Sequence, residues 1–405
     1  MTSIGIVTTW FERGAAYVSL AYRDVLASRF DVYIYARGGE KYAQEEPKWN
    51  SGRIYWSPNK RADTIIDRDD FVSWIRSREI KAILFNEQGW WPPVLWAREL
   101  GVKTVGYVDY YTPRSVPWFW LYDGLWCNTN RHFSVFNWHP RAQYIPWGTD
   151  LKLFQPKSPF CDSQLVFFHS AGMGGTNLRK GTDLVVRAFQ MVNGSVQLVI
   201  HSQVPIEHYG LVANLIRLDT RIQFVEGTVA APGLYHMGHV YVYPTRLEGI
   251  GLTIPEALAC GLPVITTDIA PGNEFVSPDT NGWLAKVVRA FPREDDYYWP
   301  QVECDVEDLA RLMRNCVEDR DAVELRSQGA RLYAEHQLDW RKNSCTLCDQ
   351  MAAIICEPPV KVPKLIQWDM VNSHAANPSR IWRLFNSYWH RHCRLVRMLK
   401  HRKVS

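Results

Sequence analysis

Glu248 and Glu256 stand eight positions apart, on either side of Gly249 and Gly251. Two carboxylates flanking one loop offer several hydrogen-bond acceptors to a polyhydroxylated ligand. Backbone N–H groups freed by the two glycines can approach the same ligand, or an anion, near the start of the next helix. The neighbouring residues read as the supports. A buried run ends at Pro244, Pro255 suits the first turn of a short helix, and Gly261 suits its C-terminal stop. Residue types alone leave a second reading open, with Glu248 a solvated loop acid and Glu256 a first-turn acid favoured by the helix dipole.

Upstream, Phe168-His-Ser-Ala-Gly172-Met173 leads through a glycine-bearing loop to Arg179-Lys180-Gly181 and the helical pattern of Thr182–Gln190. A loop that delivers two cations to a helix N-terminus suits a diphosphate, and the plain alternative is a solvated basic pair. In the first part of the chain, Asn86-Glu87-Gln88 and Asp109-Tyr110-Tyr111 each follow a strand-like run. They belong to loops at the edge where ligands collect in a parallel sheet. Trp90, Trp91, Trp118 and Trp120 are either a stacking platform for a sugar or ordinary packing beside prolines.

The elements that must position these residues alternate. Apolar runs at Ile4–Thr9, Val32–Ala36, Lys81–Asn86, Thr104–Asp109 and Leu125–Asn128 predict buried strands, with helical stretches such as Tyr17–Ser28 and Asp70–Ser77 between them. A Pro-, Ser- and Lys-rich stretch over 154–163 then reads as a linker. A second alternating series runs through Leu165–His169, Val196–His201, Ile222–Val225, His239–Tyr243 and Pro263–Thr267. The pattern predicts an α/β protein with two doubly wound Rossmann-like domains facing across a cleft, plus a C-terminal helical tail. The boundaries are 1–155 for the first domain, 156–335 for the second, 336–360 for a return helix and 361–405 for a basic amphipathic tail. The pattern weakens after Pro271, around an acidic Trp- and Tyr-bearing insertion at 291–305, and helices return at Val306–Val317 and Asp339–Ile355.

At 405 residues, with 46% hydrophobic and 22% charged side chains, the chain is too long for one core and too apolar for a disordered protein. The net charge of +4 is uneven: 370–405 holds eight Lys or Arg and no acid, which leaves the remainder at −4. Within that tail, 380–403 reads as one helix whose apolar stripe is flanked by arginines and carries Trp382 and Trp389. Such a helix suits an anionic membrane surface, and packing on the body of the protein is the alternative; no nucleic-acid module accompanies the charge. Nine cysteines with one Cys345-x-x-Cys348 pair give no zinc framework, so no metal is expected. Met1–Thr9 lacks signal-peptide regions and no run reaches about 18 apolar residues, so the expectation is a cytoplasmic protein peripheral to the inner face of a membrane.

The stretch Pro244-Thr-Arg-Leu-Glu248-Gly-Ile-Gly-Leu252, followed by Glu256-Ala-Leu-Ala-Cys-Gly-Leu-Pro-Val-Ile265, resembles the E-x7-E signature of the retaining glycosyltransferases of family four, which have the GT-B fold. The resemblance covers roughly Ile4 to Tyr333. It implies a metal-independent hexosyltransferase that moves a sugar from a nucleoside-diphosphate sugar, such as a UDP- or GDP-sugar, to a hydroxyl of a glycan or lipid-linked glycan. No cofactor beyond that donor is implied. Glu256 would bind the ribose hydroxyls and Glu248 the donor sugar, with Gly249, Ile250, Gly251 and Leu252 presenting backbone amides. Lys180 and Arg179 would face the diphosphate, although Met173 stands where the family usually has an arginine. Gly14, in Glu12-Arg13-Gly14, matches the family's N-terminal loop close to the donor, and Ile145–Asp150 matches its hinge. Many relatives have a histidine near the position where this chain has Val108 and Asp109; Asp109 would either orient the attacking hydroxyl or serve as a helix cap or surface acid. The catalytic set is therefore Glu248, Lys180 and Asp109. The alternatives are a GT-B epimerase or phosphorylase, or a sugar-nucleotide-binding scaffold with a degenerate site.

Overall fold

The computed structural model describes residues 1–37, 41–58, 64–156, 164–173 and 178–366. The predicted tail helix at 380–403 lies outside them. The first domain is built on a seven-stranded sheet in the order β3-β2-β1-β4-β5-β6-β7. Its strands are β1 (Thr2–Thr8), β2 (Phe30–Ala36), β3 (Ile54–Trp56), β4 (Ala82–Asn86), β5 (Lys103–Val108), β6 (Gly124–Cys127) and β7 (Ala142–Tyr144). Every pairing is parallel, with Ile4 opposite both Val32 and Ala82. The crossovers are α1 (Gly14–Leu26), α2 (Arg68–Ser77), α3 (Pro92–Glu99) and α4 (Asn130–Phe136). They cover both faces, which is why β1 and β4 are apolar almost throughout instead of alternating.

The second domain repeats the plan with six parallel strands in the order β10-β9-β8-β11-β12-β13. These are β8 (Leu165–Gly172), β9 (Val196–Ser202), β10 (Ile222–Glu226), β11 (Val240–Tyr243), β12 (Val264–Thr267) and β13 (Gly282–Ala285). Helices α5 (Thr182–Gln190), α6 (Leu211–Leu218), α7 (Thr253–Ala259) and α8 (Gly272–Phe275) connect them. In each sheet the strand order reverses once, between β1 and β4 and between β8 and β11. The crevice outside the carboxyl ends of the strands at such a reversal is the ligand position of open α/β sheets. The two crevices face each other.

Two features were not legible in the sequence. The insertion at 291–305 is part of an antiparallel hairpin of β14 (Val287–Phe291) and β15 (Gln301–Cys304). After α9 (Val306–Glu318) comes α10 (Arg320–Gln337), an 18-residue helix where the pattern had faded. Only Val323, Ala330 and Ala334 of α10 are buried, so its apolar stripe is narrow and made of small residues. The helical stretch expected at 339–355 is broken near Ser344 into α11 (Trp340–Asn343) and α12 (Leu347–Cys356). Both lie on the first domain, where the Trp340 indole donates to the Ala21 carbonyl at 3.3 Å and Cys348 Sγ lies 3.4 Å from the Val25 carbonyl. The outbound and returning chains cross side by side. Thr149 N donates to Leu338 O at 2.7 Å, Trp340 N to Thr149 O at 3.3 Å, and a Cβ on Gly148 would collide with that crossing.

Candidate active site

Tyr241 and Tyr243 alternate on β11 so that both rings face α7 and stack on each other, 5.4 Å apart. The Tyr243 hydroxyl then reaches the loop that follows its own strand. It donates to Glu248 Oε1 at 2.9 Å, and Thr245 Oγ1 donates to the same oxygen at 2.8 Å. Lys180 Nζ reaches that oxygen at 2.8 Å and the Arg179 guanidinium lies 3.1 Å from it. One carboxylate oxygen thus gathers four donors. Burial alone would raise the Glu248 pKa, but the charges of Arg179 and Lys180 outweigh it and hold the acid at about 2. Lys180 moves the other way: burial lowers it, Glu248 raises it and Arg179 lowers it, leaving it at about 8.

The loop carrying the cations is anchored from both sides. Gly181 has φ 74°, and a Cβ there would collide with the Pro244 carbonyl, so glycine is required where β8 feeds α5. His169, buried in β8, bridges the Val242 carbonyl at 2.8 Å and the Thr182 hydroxyl at 2.9 Å. Burial depresses its pKa to about 4, so it serves as a neutral strut. Arg246, which the sequence reading left without a role, pairs with both Asp183 oxygens at 2.7 and 2.8 Å and with Glu303 at 3.0 Å. It ties the Glu248 loop to α5 and to the hairpin. Glu256 lies beyond that loop on α7, half-buried, and accepts from Tyr235 at 2.6 Å. Burial pushes it up to about 7 although Tyr235 and Lys180 pull it down.

Across the cleft, Asp109 follows directly after β5 with its carboxylate against Gly249, where a Cβ would have no room. Burial and the neighbouring Glu87 carboxyl push Asp109 up to about 8, against the opposing charges of Arg131 and Arg179. Gly14 opens α1 so close to the same loop that an added Cβ would lie 3.5 Å from Leu252 Cδ1. The structure therefore brings Gly14, Asp109, Arg179, Lys180, Glu248 and Gly249–Leu252 to one crevice. Glu256 stands on the helix that the loop opens.

Residues that the sequence reading did not assign close the crevice. The Arg131 guanidinium donates to the carbonyls of Ala270 at 2.5 Å and of Glu248, while Glu274 reaches back to the backbone N–H groups of Asn130 at 2.6 Å and Arg131 at 2.9 Å. His132 is kept neutral by burial and by Arg131. Its Nε2 lies 3.2 Å from the Gly249 carbonyl and its Nδ1 lies 2.8 Å from the Tyr111 hydroxyl, which accepts from the Trp299 indole at 2.6 Å. These contacts fix the tautomer as Nε2–H, with the Tyr111 hydroxyl donating to Nδ1. Thr129 capping α4 just past β6 is the signal that would have found Arg131 and His132.

Of Asn86, Glu87 and Gln88, only Glu87 interacts with Asp109. Asn86 is buried against Ala15 and Ser19, and Gln88 bonds Thr64, Trp90 and Arg37. The tryptophans are packing rather than a platform. Trp90 lies edge-on to Trp96, Trp91 packs on Phe119 and Trp118, and Trp120 packs on Trp138. Among the described residues no group of three His, Cys, Asp or Glu side chains is arranged to hold a metal ion, and no helix is long and apolar enough to cross a membrane.

Two parallel-sheet domains meeting at their strand reversals define the class: this is the GT-B fold of nucleotide-sugar glycosyltransferases. Residues 166–293 match the family described as glycosyl transferases group 1, so the second domain is a group 1 glycosyltransferase domain. Over 183 residues the chain is 30% identical to a GDP-mannose-dependent monoacylated alpha-(1-6)-phosphatidylinositol monomannoside mannosyltransferase of Corynebacterium glutamicum, spanning 38% of this chain and 45% of that one. Over 167 residues it is 27% identical to a D-inositol 3-phosphate glycosyltransferase of Xylanimonas cellulosilytica, spanning 36% and 39%. The matches thus span less than half the length of these curated relatives. The fold is similar along nearly the whole chain to that of Anabaena HepE in complex with UDP and glucose, with a TM-score of 0.68, 14% identity, and coverage of 87% of this chain and 100% of that one. WaaG, a glycosyltransferase involved in lipopolysaccharide biosynthesis, gives a TM-score of 0.62 at 16% identity, covering 88% and 100%.

Proposed function

We propose that the protein is a retaining glycosyltransferase of family four that transfers a hexosyl unit from a nucleoside-diphosphate sugar to a hydroxyl of a glycan or lipid-linked glycan. The observation that carries the reading is the convergence of Lys180, Arg179, Tyr243 and Thr245 on one oxygen of Glu248, directly across the crevice from Asp109. A diphosphate entering at the start of α5 takes up the two cations, and their charge stabilises the negative charge that builds on the leaving nucleoside diphosphate. Lys180, Arg179 and the α5 N-terminus then do what a divalent ion does in other transferases. Glu256, braced by Tyr235, is the acceptor for ribose hydroxyls. Sugar hydroxyls lie against Glu248 and the backbone from Gly249 to Leu252, with Gly14 closing from the other domain.

Neither facing acid suits covalent attack. Glu248 is held by four donors that lower its basicity and with it its nucleophilicity, and burial beside Glu87 shifts Asp109 toward its neutral form. Departure of the diphosphate and attack of the acceptor on the same face, through an oxocarbenium-like state, is the route these states favour. Asp109 orients the attacking hydroxyl, and the closed domains supply proximity. We propose further that the reaction runs at the inner face of a membrane, a reading supported by the basic composition of the sequence at 380–403.

Titration of the full-length protein with UDP, GDP and ADP tests the donor half. One of them should bind in the micromolar range, and Glu256→Ala should weaken it at least tenfold. Proton NMR of the sugar released from that donor, read before mutarotation, should show the donor's own anomeric configuration first. The opposite anomer would remove retention, and absence of any nucleotide binding would remove the whole reading.

A further inference from the structure

We propose that the tip of the β14–β15 hairpin carries a saccharide-binding subsite that holds the acceptor one sugar unit away from its reacting hydroxyl. This rests on the glycosyltransferase reading and extends it to the acceptor, which no residue so far described selects. The hairpin belongs to the second domain, yet its tip is bonded to the first. Tyr298 N donates to the Tyr111 carbonyl at 2.9 Å, the Tyr297 hydroxyl to the Asp109 carbonyl at 2.9 Å, and the Tyr110 hydroxyl to Asp295 at 3.1 Å. Tyr297 is buried and stacked on Tyr110, with ring centroids 5.3 Å apart and planes 16° from parallel.

What these bonds hold in place is an open pocket of about 260 Å³ lined by Phe291, Pro292, Tyr297, Tyr298 and Pro300. Tyr298 at the hairpin tip and Tyr110, which follows β5 in the first domain, each keep 38% of their surface exposed. The volume falls below the roughly 300–1,000 Å³ of drug-sized ligand sites and suits a single pyranose ring. Its walls are aromatic and proline rings whose flat apolar faces match the C–H face of a sugar, and Tyr298 adds a hydroxyl at the rim. Arg293 and Asp295, paired at 2.5 Å, supply planar polar groups beside it, and the Arg293 guanidinium lies over the Tyr297 ring at 5.2 Å. The pocket neighbours the reaction centre: the Tyr297 hydroxyl in its wall donates to the Asp109 backbone carbonyl, and the Asp109 carboxylate abuts Gly249. In this proposal a sugar seated here directs the next unit of the acceptor toward Asp109.

The test is saturation-transfer NMR on the full-length protein with methyl α-D-glucopyranoside, methyl α-D-mannopyranoside and methyl β-D-galactopyranoside. UDP and GDP are present in excess to fill the donor pocket, and p-cresol serves as the non-sugar probe. At least one glycoside should show saturation concentrated on the C–H protons of one ring face. Tyr298→Ala should cut that signal at least fivefold, and Tyr298→Trp should restore at least half of it. Phe291→Ala is the second variant, and thermal melting checks that each variant is folded. Absence of signal from all three glycosides, saturation of p-cresol alone, or signals unchanged in both alanine variants would each overturn the subsite. Nucleotide titration of the same samples separates the two ideas. If UDP or GDP binds while the glycoside signal ignores Tyr298, only the subsite falls; if neither nucleotide binds, the glycosyltransferase reading falls and takes the subsite with it.

Discussion

On the C-terminal side of the cleft, the groups around Glu248 come from two short stretches, 179–181 and 243–256, that leave neighbouring strands of one sheet. On the N-terminal side, Asp109 is surrounded by Glu87 and by Arg131 and His132, then by Gly249 and Tyr297 from the other domain. The side-chain cluster on Glu248 is complete within its own domain, whereas the surroundings of Asp109 exist only while the domains are closed. Grip on the nucleotide should therefore depend on the C-terminal residues alone, and acceptor-side geometry on bonds that cross the cleft. Each variant below is a way to break that division or to sharpen it.

Glu248→Ala should have the largest effect on the fold. It strips the partner from two largely buried cations, a change that costs about 3–5 kcal/mol when both charges stay. Lys180, already lowered to about 8, can shed its proton, so the lower end is expected. About 3 kcal/mol corresponds to a calorimetric Tm drop of roughly 6–12 °C for a domain of this size. A drop of under 2 °C would mean that the cluster does not support its own domain, and the contrast between the halves would go.

Lys180 gives the next effect. If the diphosphate needs its cation, Lys180→Ala should slow transfer by about 10²–10³-fold, the usual cost of one donor aimed at developing charge. Wild-type nucleotide affinity should hold below pH 8 and fall above it, by up to about tenfold per pH unit, as the free Lys180 loses its proton. Lys180→Arg, which cannot deprotonate, should abolish that fall. A fall of equal steepness in the arginine variant would assign the titration elsewhere.

Glu256 tests the same half through stability. Its folded pKa of about 7 lies above its ordinary 4.5, so the folded state grips the proton more tightly and stability falls as pH rises from 4.5 to 7, then levels. Glu256→Gln stays neutral and can keep the Tyr235 hydrogen bond. It should match the wild type near pH 4 and exceed it at pH 8, by on the order of 1–3 kcal/mol. Denaturant midpoints at the two pH values read the difference, and an equal offset at both would exclude burial of the charge as its cause. Glu248 runs the opposite way, its contribution present above pH 4.5 and lost as pH falls toward 2.

The same contrast explains what the sequence revealed. Glu248, Glu256 and Lys180 were legible because local order places them: a glycine loop after a strand, a proline at a helix start and a cation pair at a helix N-terminus. The inner strands of both sheets were legible because strands covered on two faces are apolar runs, whereas the short outer strands β3, β7 and β13 were not. Arg131, His132 and Glu274 were not, since their partners lie more than a hundred positions away and no periodicity links Gly249 to His132. The four clustered tryptophans, equally suited to a sugar platform and to packing, pack on other aromatic rings: Trp90 on Trp96, Trp91 on Phe119 and Trp118, and Trp120 on Trp138. The hairpin at 287–304 was visible only as an odd composition, since its four- and five-residue strands bury little and its tip is ordered by the other domain.

The smallest expected effect bears on the bonds that cross the cleft. Trp299 donates to the Tyr111 hydroxyl, Tyr111 donates to His132, and His132 donates to the Gly249 carbonyl, so a directed chain runs from the hairpin through the first domain to the donor loop. Trp299→Phe keeps a ring beneath the Arg131 guanidinium, which lies 5.3 Å from the indole, and removes only the first donor. The lost hydrogen bond should cost about 1 kcal/mol, or a Tm shift of roughly 2–4 °C. Because the donor half is complete without it, nucleotide affinity should stay within about twofold, while acceptor KM should rise several-fold as Tyr111 and the hairpin loosen around Asp109. A variant that instead loses nucleotide affinity would show the chain acting on Gly249 itself, and the two halves would then form one mechanical unit.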